Sequence, residues 1–341
     1  MRDQCAHGVS RREFLGRLTL VAGLLGLHAR PVAAEQLPET TRLRLYKTPG
    51  ICIAPQYIAE ELLHLEGFTE VHYVAADPAK MTVNTYQQFA AGGIDLSTTF
   101  APPSIIQVDA GAPIILVGGV HVGCYEVFGT DRVRAIRDLK GKTVAVPELG
   151  GSHQLFVASM AQYVGLDPYK DIQWAVHPPA ESIPLLAEAK IDALVAFPPV
   201  PQELRARKIG QLVVSSAVDR PWSQYFCCMV TGNREFVRKH PIATKRALRA
   251  ILKATDVCAL EPDRAAQLIV EKGFTPRYDY ALQTMQEIPY NRWREYDPED
   301  TVRFYALRLH ELGLIKSTPQ KIIAQGTDWR FFNALKKELK G

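Results

Sequence analysis

The stretch Gly93-Ile94-Asp95-Leu96-Ser97-Thr98-Thr99-Phe100-Ala101-Pro102-Pro103 has a second copy in the chain, Lys190-Ile191-Asp192-Ala193-Leu194-Val195-Ala196-Phe197-Pro198-Pro199. Each copy runs from a helix end through Ile-Asp into a β-strand, then to a phenylalanine and a helix opened by proline. Phe100 and Phe197 therefore come at the carboxyl end of a strand, where open α/β sheets bind ligands. The repeat predicts two equivalent α/β lobes with these two rings facing each other across a cleft. The alternative is that each ring fills the end of its own core.

The regions around the two copies alternate short β-branched strands with amphipathic helices. This pattern extends from Arg42 to about Val214, and beyond Pro221 the chain is mostly helical. Such alternation predicts an α/β fold with parallel sheets covered by helices on both faces. The length of chain after position 34 is enough for two domains.

The N-terminus carries the features of a twin-arginine signal peptide. Arg11 and Arg12 are preceded by Ser10 and followed by a short apolar stretch from Leu18 to Leu27. A transmembrane helix needs about 20 apolar residues, so this shorter stretch is typical of a signal that is removed. We expect residues 1–34 to be cleaved and the remaining protein to be periplasmic.

Most of the basic character of the chain lies in this leader. The whole sequence has 40 Lys and Arg against 36 Asp and Glu, a formal charge of +4. Five arginines and two acidic residues fall within positions 1–34, so cleavage leaves a charge of +1. Without a basic excess there is no electrostatic footprint for nucleic acid, and we expect no such partner.

Five cysteines follow the leader: Cys52, Cys124, Cys227, Cys228 and Cys258. Their odd number and the lack of a C-x-x-C pair argue against a disulfide framework, although periplasmic oxidation allows one or two bridges. His121 and Cys124, with Cys227 and Cys228, offer a zinc-like ligand set. Buried strand cysteines more commonly act as small hydrophobic residues, so we expect no metal and no cofactor.

The loop after a predicted strand holds one group of candidate ligand contacts, Gly150, Gly151 and Ser152. Glycines let backbone N–H groups approach a ligand, and the N-terminus of the helix that follows favours an anion. The alternative is an ordinary turn in which Ser152 caps the helix.

A second group of candidates follows the first strand, at Pro49, Gly50 and Cys52. A plain strand-to-helix turn is the alternative for this segment. Thr99 joins the candidates because side chains alternate along a strand, so that its hydroxyl can point into the cleft.

Aromatic residues are concentrated in the two segments expected to connect the lobes. Trp222 and Tyr225 are the preferred ligand contacts among them. Rings at a cleft suit a flat organic ligand better than a bare inorganic ion. The alternative is that these rings pack the connecting strands.

In the order and spacing of several segments, the chain resembles the periplasmic binding proteins of ABC importers for nitrate, sulfonates, taurine and thiamine pyrimidine precursors. The segments that carry the resemblance are Leu43 to Leu65, Gly92 to Pro103, Asp109 to Ile114, Asp138 to Val146, Val164 to Pro168, Ile191 to Ala193 and Glu235 to Pro241. The resemblance implies the type II periplasmic-binding-protein fold, an α/β fold in which two lobes joined by a hinge enclose a ligand in the cleft. It implies lobe 1 at residues 42–121 plus about 228–341, lobe 2 at about 122–227, and ligand contacts from the loops at Pro49 and Gly150.

The function implied by the resemblance is capture of a small organic anion or heteroaromatic solute for delivery to an ABC permease in the inner membrane. A monomer without enzymatic activity is expected. The alternative is an enzyme on the same fold, like the pyrimidine-precursor synthases. Cys227-Cys228 is similar to the cysteine-rich stretch of those synthases but lacks their further cysteines, which argues against the iron-dependent reaction.

Overall fold

The computed structural model describes residues 35–48, 50–75 and 81–340. The predicted signal peptide at residues 1–34 and the candidate contact Pro49 lie outside these ranges. Within the described ranges, no helix combines the length and the apolar character that crossing a bilayer requires.

Ten β-strands form within the described ranges. In chain order they are β1 Arg42–Lys47, β2 Glu70–Ala75, β3 Leu96–Phe100, β4 Ile114–Val122, β5 Glu126–Gly129, β6 Lys142–Val146, β7 Ile172–Val176, β8 Ala193–Ala196, β9 Gln211–Ser215 and β10 Phe226–Asn233. Strands β3 and β8 are buried along their whole length, as expected for central strands covered on both faces.

Fourteen α-helices are present in the same ranges. They are α1 Ala54–Ile58, α2 Glu60–Leu65, α3 Met81–Ala90, α4 Ala101–Asp109, α5 Ser152–Tyr163, α6 Pro179–Ala187, α7 Val200–Ala206, α8 Arg234–Lys239, α9 Pro241–Leu260, α10 Pro262–Glu271, α11 Tyr278–Glu287, α12 Pro298–Glu311, α13 Pro319–Gly326 and α14 Arg330–Glu338. Short 3-10 helices add Ile51–Ile53, Ile136–Leu139, Trp222–Gln224 and Tyr290–Arg292. Many of the helices open with proline at their first turn, where its missing N–H costs nothing.

The strands form two five-stranded sheets of the same design. The first sheet has the order β2-β1-β3-β10-β4, and the second has the order β7-β6-β8-β5-β9. Four strands of each sheet run in the same direction, and the fifth, β10 in the first sheet and β5 in the second, runs antiparallel to both of its neighbours. The prediction of parallel sheets therefore holds for four strands of each sheet and is wrong for β5 and β10. Strands β5 and β10 are the first strands after the chain crosses from one sheet to the other, so each enters its sheet from the opposite end.

The two sequence copies occupy the same position in the two sheets, because they supply the central strands β3 and β8. Asp95, before β3, accepts a hydrogen bond from the backbone N–H of Arg44 at 2.8 Å. Asp192, before β8, accepts one from the backbone N–H of Thr143 at 2.9 Å. The Ile-Asp pair thus ties each central strand to its neighbour, and the predicted equivalence of the two copies is confirmed.

Each sheet is the centre of one lobe, and we call the lobes built on the first and second sheets lobe 1 and lobe 2. The C-terminal helices pack mainly on lobe 1, where α9 contacts α1 and β4, and α12 contacts α4. The chain passes to lobe 2 between β4 and β5 and returns between β9 and β10. The expected two-lobed α/β architecture with two chain crossings is therefore present.

Candidate functional site

A cavity of about 60 Å³, which we call the cleft cavity, lies where the two lobes meet. Its walls include Gly50, Cys52, Thr82, Thr99 and Phe100 on the side of lobe 1, and Tyr125, Ser152 and Phe197 on the other side. Phe100 ends β3, and Phe197 follows β8, so both rings reach the cavity from the carboxyl ends of central strands. Among the described residues that line the cavity, none is Lys or Arg.

Aromatic rings from both lobes meet at the cleft cavity. The ring of Tyr125, in the first crossing segment, lies 4.9 Å from that of Phe100 and 5.7 Å from that of Phe197, measured between centroids. Phe100 also contacts Phe156 and Tyr305, and its side chain is 6% exposed. The two rings predicted to oppose each other are thus joined through Tyr125, and Phe100 is part of the core as well as of the cavity wall.

Thr99, in the wall of the cleft cavity, belongs to a buried cluster of hydroxyl groups. Its Oγ1 lies 2.7 Å from Thr231 Oγ1 and 3.0 Å from Ser104 Oγ. Tyr86 Oη lies 2.7 Å from the same Ser104 Oγ, and burial raises the pKa of Tyr86 above its ordinary value, so this phenol stays protonated at neutral pH. These hydroxyls satisfy one another and can turn a proton toward a solute.

Direct hydrogen bonds close the cleft around the cavity. Glu148 of lobe 2 accepts a hydrogen bond from the backbone N–H of Thr82, at the start of α3 in lobe 1, at 2.9 Å. The hydroxyls of Thr82 and Ser152 lie 3.3 Å apart, and the backbone N–H of Ile51 donates to the carbonyl of Pro198 at 3.3 Å. The structure is therefore that of the closed form.

Ser152 is the first residue of α5 and not its cap, since Gly151 holds the N-cap position without a side-chain bond. Gly150 is exposed, has a φ of +70°, and donates its N–H to Gln154 Oε1 at 2.6 Å. A Cβ on Gly151 would lie 2.3 Å from Cγ of Glu148. The two glycines therefore shape the turn that carries Glu148 and Ser152, and only Ser152 of the three predicted contacts lines the cleft cavity.

Trp222 and Tyr225 lie away from the cleft cavity. Tyr225 stacks on Phe304 of α12 at 4.0 Å between centroids, with 13° between the ring planes. Trp222 is buried and contacts Phe304, Phe156 and Tyr163 edge-on. These rings pack the second crossing against α12 and α5, which is the alternative interpretation of this aromatic segment.

A second cavity, of about 180 Å³, lies inside lobe 2 and is lined in part by Glu148, His153 and Phe197. The ring of His153 packs on Phe197 at 4.9 Å and meets Tyr125 edge-on at 5.3 Å. Burial lowers the pKa of His153 to about 3, so the imidazole is neutral at ordinary pH. Because Phe197 lines both cavities, its ring is the partition between them.

Four soft ligands meet beside the cleft cavity. The side-chain ligand atoms of Cys52, His121, Cys124 and Cys228 all lie within 4.8 Å of one another, and all four residues are buried. The sequence suggested Cys227 for such a set, but the structure brings Cys52 from the first loop into this place. Cys227 lies beside the group instead, with its Sγ 3.0 Å from that of Cys124.

The charges within this group are coupled. A hydrogen bond with Cys124 lowers the pKa of Cys228. Burial opposes a charged imidazole, but the nearby charge of Cys228 outweighs it and raises the pKa of His121 to about 9. Burial raises the pKa of the Cys124 thiol well above its ordinary value. Charges on Cys228 and His121 therefore favour each other, whereas burial keeps the Cys124 thiol neutral.

Sequence reasoning missed the contribution of α3 to the site. Thr82, Thr85 and Tyr86 line the cleft cavity from the first turns of this helix. The helix itself is predictable, but its approach to lobe 2 depends on how the lobes close. A polar first turn after a strand is the only local signal, and it is also what an ordinary capped helix shows.

The fold is that of the periplasmic binding proteins. The structure matches the periplasmic nitrate-binding protein NrtA from Synechocystis PCC 6803 with a TM-score of 0.75 at 17% sequence identity, covering 89% of this chain and 90% of that one. It matches the alkanesulfonate-binding protein SsuA from Xanthomonas axonopodis pv. citri, solved with MOPS bound, with a TM-score of 0.64 at 16% identity, covering 82% and 96%. The predicted type II fold is therefore confirmed.

The chain belongs to the NMT1-like family, whose profile matches residues 37–271. A relative from Escherichia coli (strain K12), whose name gives aliphatic sulfonates as its ligands, is 28% identical over 184 residues, covering 52% of this chain and 56% of the relative. The nitrate/nitrite binding protein NrtA from Nostoc sp. (strain PCC 7120) is 20% identical over 253 residues, covering 67% and 57%. The chain thus matches a little over half the length of these relatives.

Proposed function

We propose that this protein is the periplasmic solute-binding component of an ABC importer and captures a small organic anion or heteroaromatic solute between its two lobes. The observation that carries the proposal is a cavity walled by both lobes and closed by the Thr82–Glu148 hydrogen bond. A solute that touches both lobes favours the closed form, whereas one that touches a single lobe shifts no equilibrium. The names of the sulfonate-binding and nitrate-binding relatives support the same class of activity.

The lining of the cleft cavity favours the heteroaromatic solutes and organic anions over a bare inorganic ion. Phe100, Tyr125 and Phe197 offer ring faces and edges, which stack on flat ligands. Hydroxyls of Thr82 and Ser152 can donate hydrogen bonds to an anionic or polar group. With no Lys or Arg among the described lining residues, charge neutralisation contributes little, so shape and hydrogen bonding select the solute.

The lobe boundaries form part of this proposal. Lobe 1 comprises residues 42–121 plus about 228–341, and lobe 2 comprises about 122–227, joined by a hinge at the two crossings. The division of strands supports it, since β1 to β4 and β10 form one sheet and β5 to β9 form the other. Motion about these crossings opens and closes the cleft.

Export and partners complete the proposal. Residues 1–34 act as a twin-arginine signal, and the mature chain works in the periplasm as a monomer that docks with an inner-membrane permease. The periplasmic nitrate-binding protein that shares the fold supports this location. Comparing the N-terminus of the protein isolated from periplasm with that of the precursor tests the cleavage.

A thermal-shift screen of the mature, metal-free protein tests the function. The panel contains nitrate, bicarbonate, sulfonates, aromatic acids, thiamine precursors and flavins. A true solute at 100 times its dissociation constant adds about 2.7 kcal/mol to the free energy of unfolding. A panel without any stabilising compound would contradict the proposal.

The rival function is a synthase-like enzyme on the same fold. It predicts that a candidate compound is consumed when incubated with the protein, iron and a reductant. The binding proposal predicts that the compound is recovered unchanged after denaturation. Mass spectrometry of the recovered compound separates the two, because only turnover changes its mass.

A further inference from the structure

We propose that Cys52, His121, Cys124 and Cys228 form a four-coordinate site for a thiophilic divalent metal ion, with Zn²⁺ as the ion that the ligand set fits best. Three thiolates and one imidazole are a known ligand set of tetrahedral zinc. Soft sulfur ligands also select against Mg²⁺ and Ca²⁺, which prefer oxygen. This inference goes beyond the proposed transport function and does not rest on the identity of the solute, although Cys52, Cys124 and Cys228 also line the cleft cavity.

The distances within the group suit a single ion. All four ligand atoms lie within 4.8 Å of one another. A tetrahedral Zn²⁺ with Zn–S bonds of about 2.3 Å separates its sulfur ligands by about 3.8 Å. Bringing two sulfur atoms from 4.8 Å to about 3.8 Å apart requires side-chain displacements of only about an ångström.

Rigid elements hold the ligands in place. His121 in β4 and Cys228 in β10 are direct partners in the first sheet. Cys52 lies in the 3-10 helix Ile51–Ile53, and its carbonyl accepts a hydrogen bond from Tyr290 Oη at 2.6 Å. Because the site is built mainly on strands and a fixed turn, little conformational entropy is lost when an ion binds.

The orientation of His121 is that of a metal ligand. Its Nδ1 lies 3.2 Å from the carbonyl oxygen of Val122, to which it can donate a hydrogen bond. Its Nε2 is buried and has no hydrogen-bond partner among the described residues. Histidines that bind metals commonly donate one ring N–H to a carbonyl and use the other nitrogen as the ligand. A metal ion satisfies the buried Nε2, which otherwise costs free energy.

Cys227 can compete with a metal ion for Cys124. Its Sγ lies 3.0 Å from that of Cys124, so oxidation can join the two in a disulfide. That bond forms with loss of two electrons and two protons to an oxidant, such as a second disulfide, and removes Cys124 as a ligand. The metal site therefore requires reduced thiols, and Cys227→Ser is the variant that protects it.

The test uses the whole mature protein, reduced and freed of metal by a chelator. Co²⁺ serves as a spectroscopic substitute, because tetrahedral thiolate ligation gives intense visible absorption and a sulfur-to-metal charge-transfer band. We expect one Co²⁺ per chain, with a charge-transfer intensity that corresponds to three sulfur ligands, and complete displacement of Co²⁺ by one equivalent of Zn²⁺. This measurement on the unmodified protein does not depend on the folding of any variant.

Variants locate the site. Cys228→Ser and His121→Gln should each weaken Zn²⁺ binding by more than about tenfold, since even outer-shell changes cost 10- to 100-fold. Cys227→Ser should bind Zn²⁺ as the original protein does, and buried Cys258→Ser in α9 is the matched control for loss of a thiol outside the group.

Absence of a 1:1 complex in the reduced protein, or equal weakening by Cys258→Ser, overturns the proposal. A Cys124–Cys227 disulfide that persists in reductant also overturns it. The solute screen, run with and without Zn²⁺, keeps failure of this site distinct from failure of the transport function.

Discussion

At the scale of single residues, Phe197 and Phe100 do different work although they stand at equivalent places in the repeat. Phe197 is only partly buried and forms the partition between the cleft cavity and the cavity in lobe 2. Phe100 is 6% exposed and packs against Tyr125, Phe156 and Tyr305. The first ring can therefore be removed at small cost to the fold, and the second cannot.

The first prediction concerns Phe197→Ala. The substitution should join the cavities of about 60 and 180 Å³. It should also lower the affinity for the solute found in the screen by more than about tenfold, because ring contacts are lost. The free energy of unfolding of the free protein should change by less than the 3–5 kcal/mol typical of a buried Phe→Ala change. Isothermal titration calorimetry measures the solute affinity, and chemical denaturation measures the free energy of unfolding.

Phe128→Ala is the contrasting variant for this test. Phe128 is 2% exposed and lies in the core of lobe 2, so its truncation should cost about 3–5 kcal/mol of stability. A Phe197→Ala variant that loses as much stability as Phe128→Ala would show that Phe197 is a core residue. The partition between the cavities would then have no role in solute choice.

His153 gives a second prediction at this scale, on the pH dependence of stability. Its pKa is lowered by burial from 6.5 to about 3, so the unfolded chain binds a proton between these values and the folded chain does not. The contribution of neutral His153 to the free energy of unfolding is fully present above pH 6.5 and is lost as the pH falls below that value. At pH 5 the loss amounts to about 2 kcal/mol, at 1.36 kcal/mol per pH unit. Denaturant titrations at pH 7 and pH 5 should show that His153→Phe removes this part of the acid sensitivity.

The matched control for His153 is His72→Gln, because His72 is exposed on β2. It should leave the difference in stability between pH 7 and pH 5 as it is in the original protein. If His153→Phe and His72→Gln have equal effects on that difference, the burial of His153 is not its cause.

Residues also mark the limit of what the sequence can predict about the site. Gly50, Cys52, Thr99, Phe100, Ser152 and Phe197 line the cleft cavity, and each follows or ends a predicted strand. Trp222 and Tyr225 have the ring chemistry of ligand contacts, but Phe304 of helix α12 stacks on Tyr225 and meets Trp222 edge-on. That helix is far away in sequence, and local pattern carries no information on where it docks.

At the scale of elements, the sequence repeat predicts the two central strands. It does not predict which distant strands pair with them. Strand β10 pairs with β3 and β4, which precede it by more than a hundred residues. An alternating apolar pattern identifies a strand and its buried face, but it is the same for a parallel and an antiparallel neighbour. The sequence therefore predicts where helices and strands occur, but it does not predict the direction in which β5 and β10 run.

The third prediction concerns the contact between α3 and the loop after β6. Glu148→Ala removes the carboxylate that accepts from Thr82 N–H at the helix start, a charge-assisted bond of about 1.5–3 kcal/mol. The free protein should shift toward the open form, with a larger radius of gyration in small-angle X-ray scattering. Solute affinity should fall by about 10- to 100-fold, because closure then costs more.

Glu181→Ala is the control for this prediction, since Glu181 is an exposed carboxylate in the first turn of α6 and pairs with His177 of the same lobe. It should keep the scattering profile of the original protein. Identical profiles for Glu148→Ala and Glu181→Ala would mean that the Thr82 contact does not hold the cleft closed.

At the scale of the whole molecule, closure is held by contacts at separate places along the interface. One is the Thr82–Glu148 bond, and another is Arg205 of α7, which pairs with Glu126 of β5 and with Glu287 of α11. Burial raises the pKa of Glu126 despite the adjacent guanidinium. Since α11 packs with the C-terminal helices of lobe 1, Arg205 links lobe 2 to them. Closure therefore depends on the full chain and not on either sheet alone.

The fourth prediction tests whether closure itself controls affinity, with Gly50→Ala as the change. Gly50 has an extended backbone with φ of −90°, so alanine strains nothing locally, but its Cβ would lie 2.7 Å from Cε2 of Phe197 in the other lobe. This clash exists only when the cleft is closed. Overpacking of this kind costs about 1–3 kcal/mol, so solute affinity should fall by about 5- to 150-fold, while the free protein opens and keeps its stability. The double variant Gly50→Ala/Phe197→Ala has no clash and should bind no more weakly than Phe197→Ala alone. If alanine at position 50 still weakens binding in the absence of the Phe197 ring, Gly50 contacts the solute directly and closure is not what the substitution disturbs.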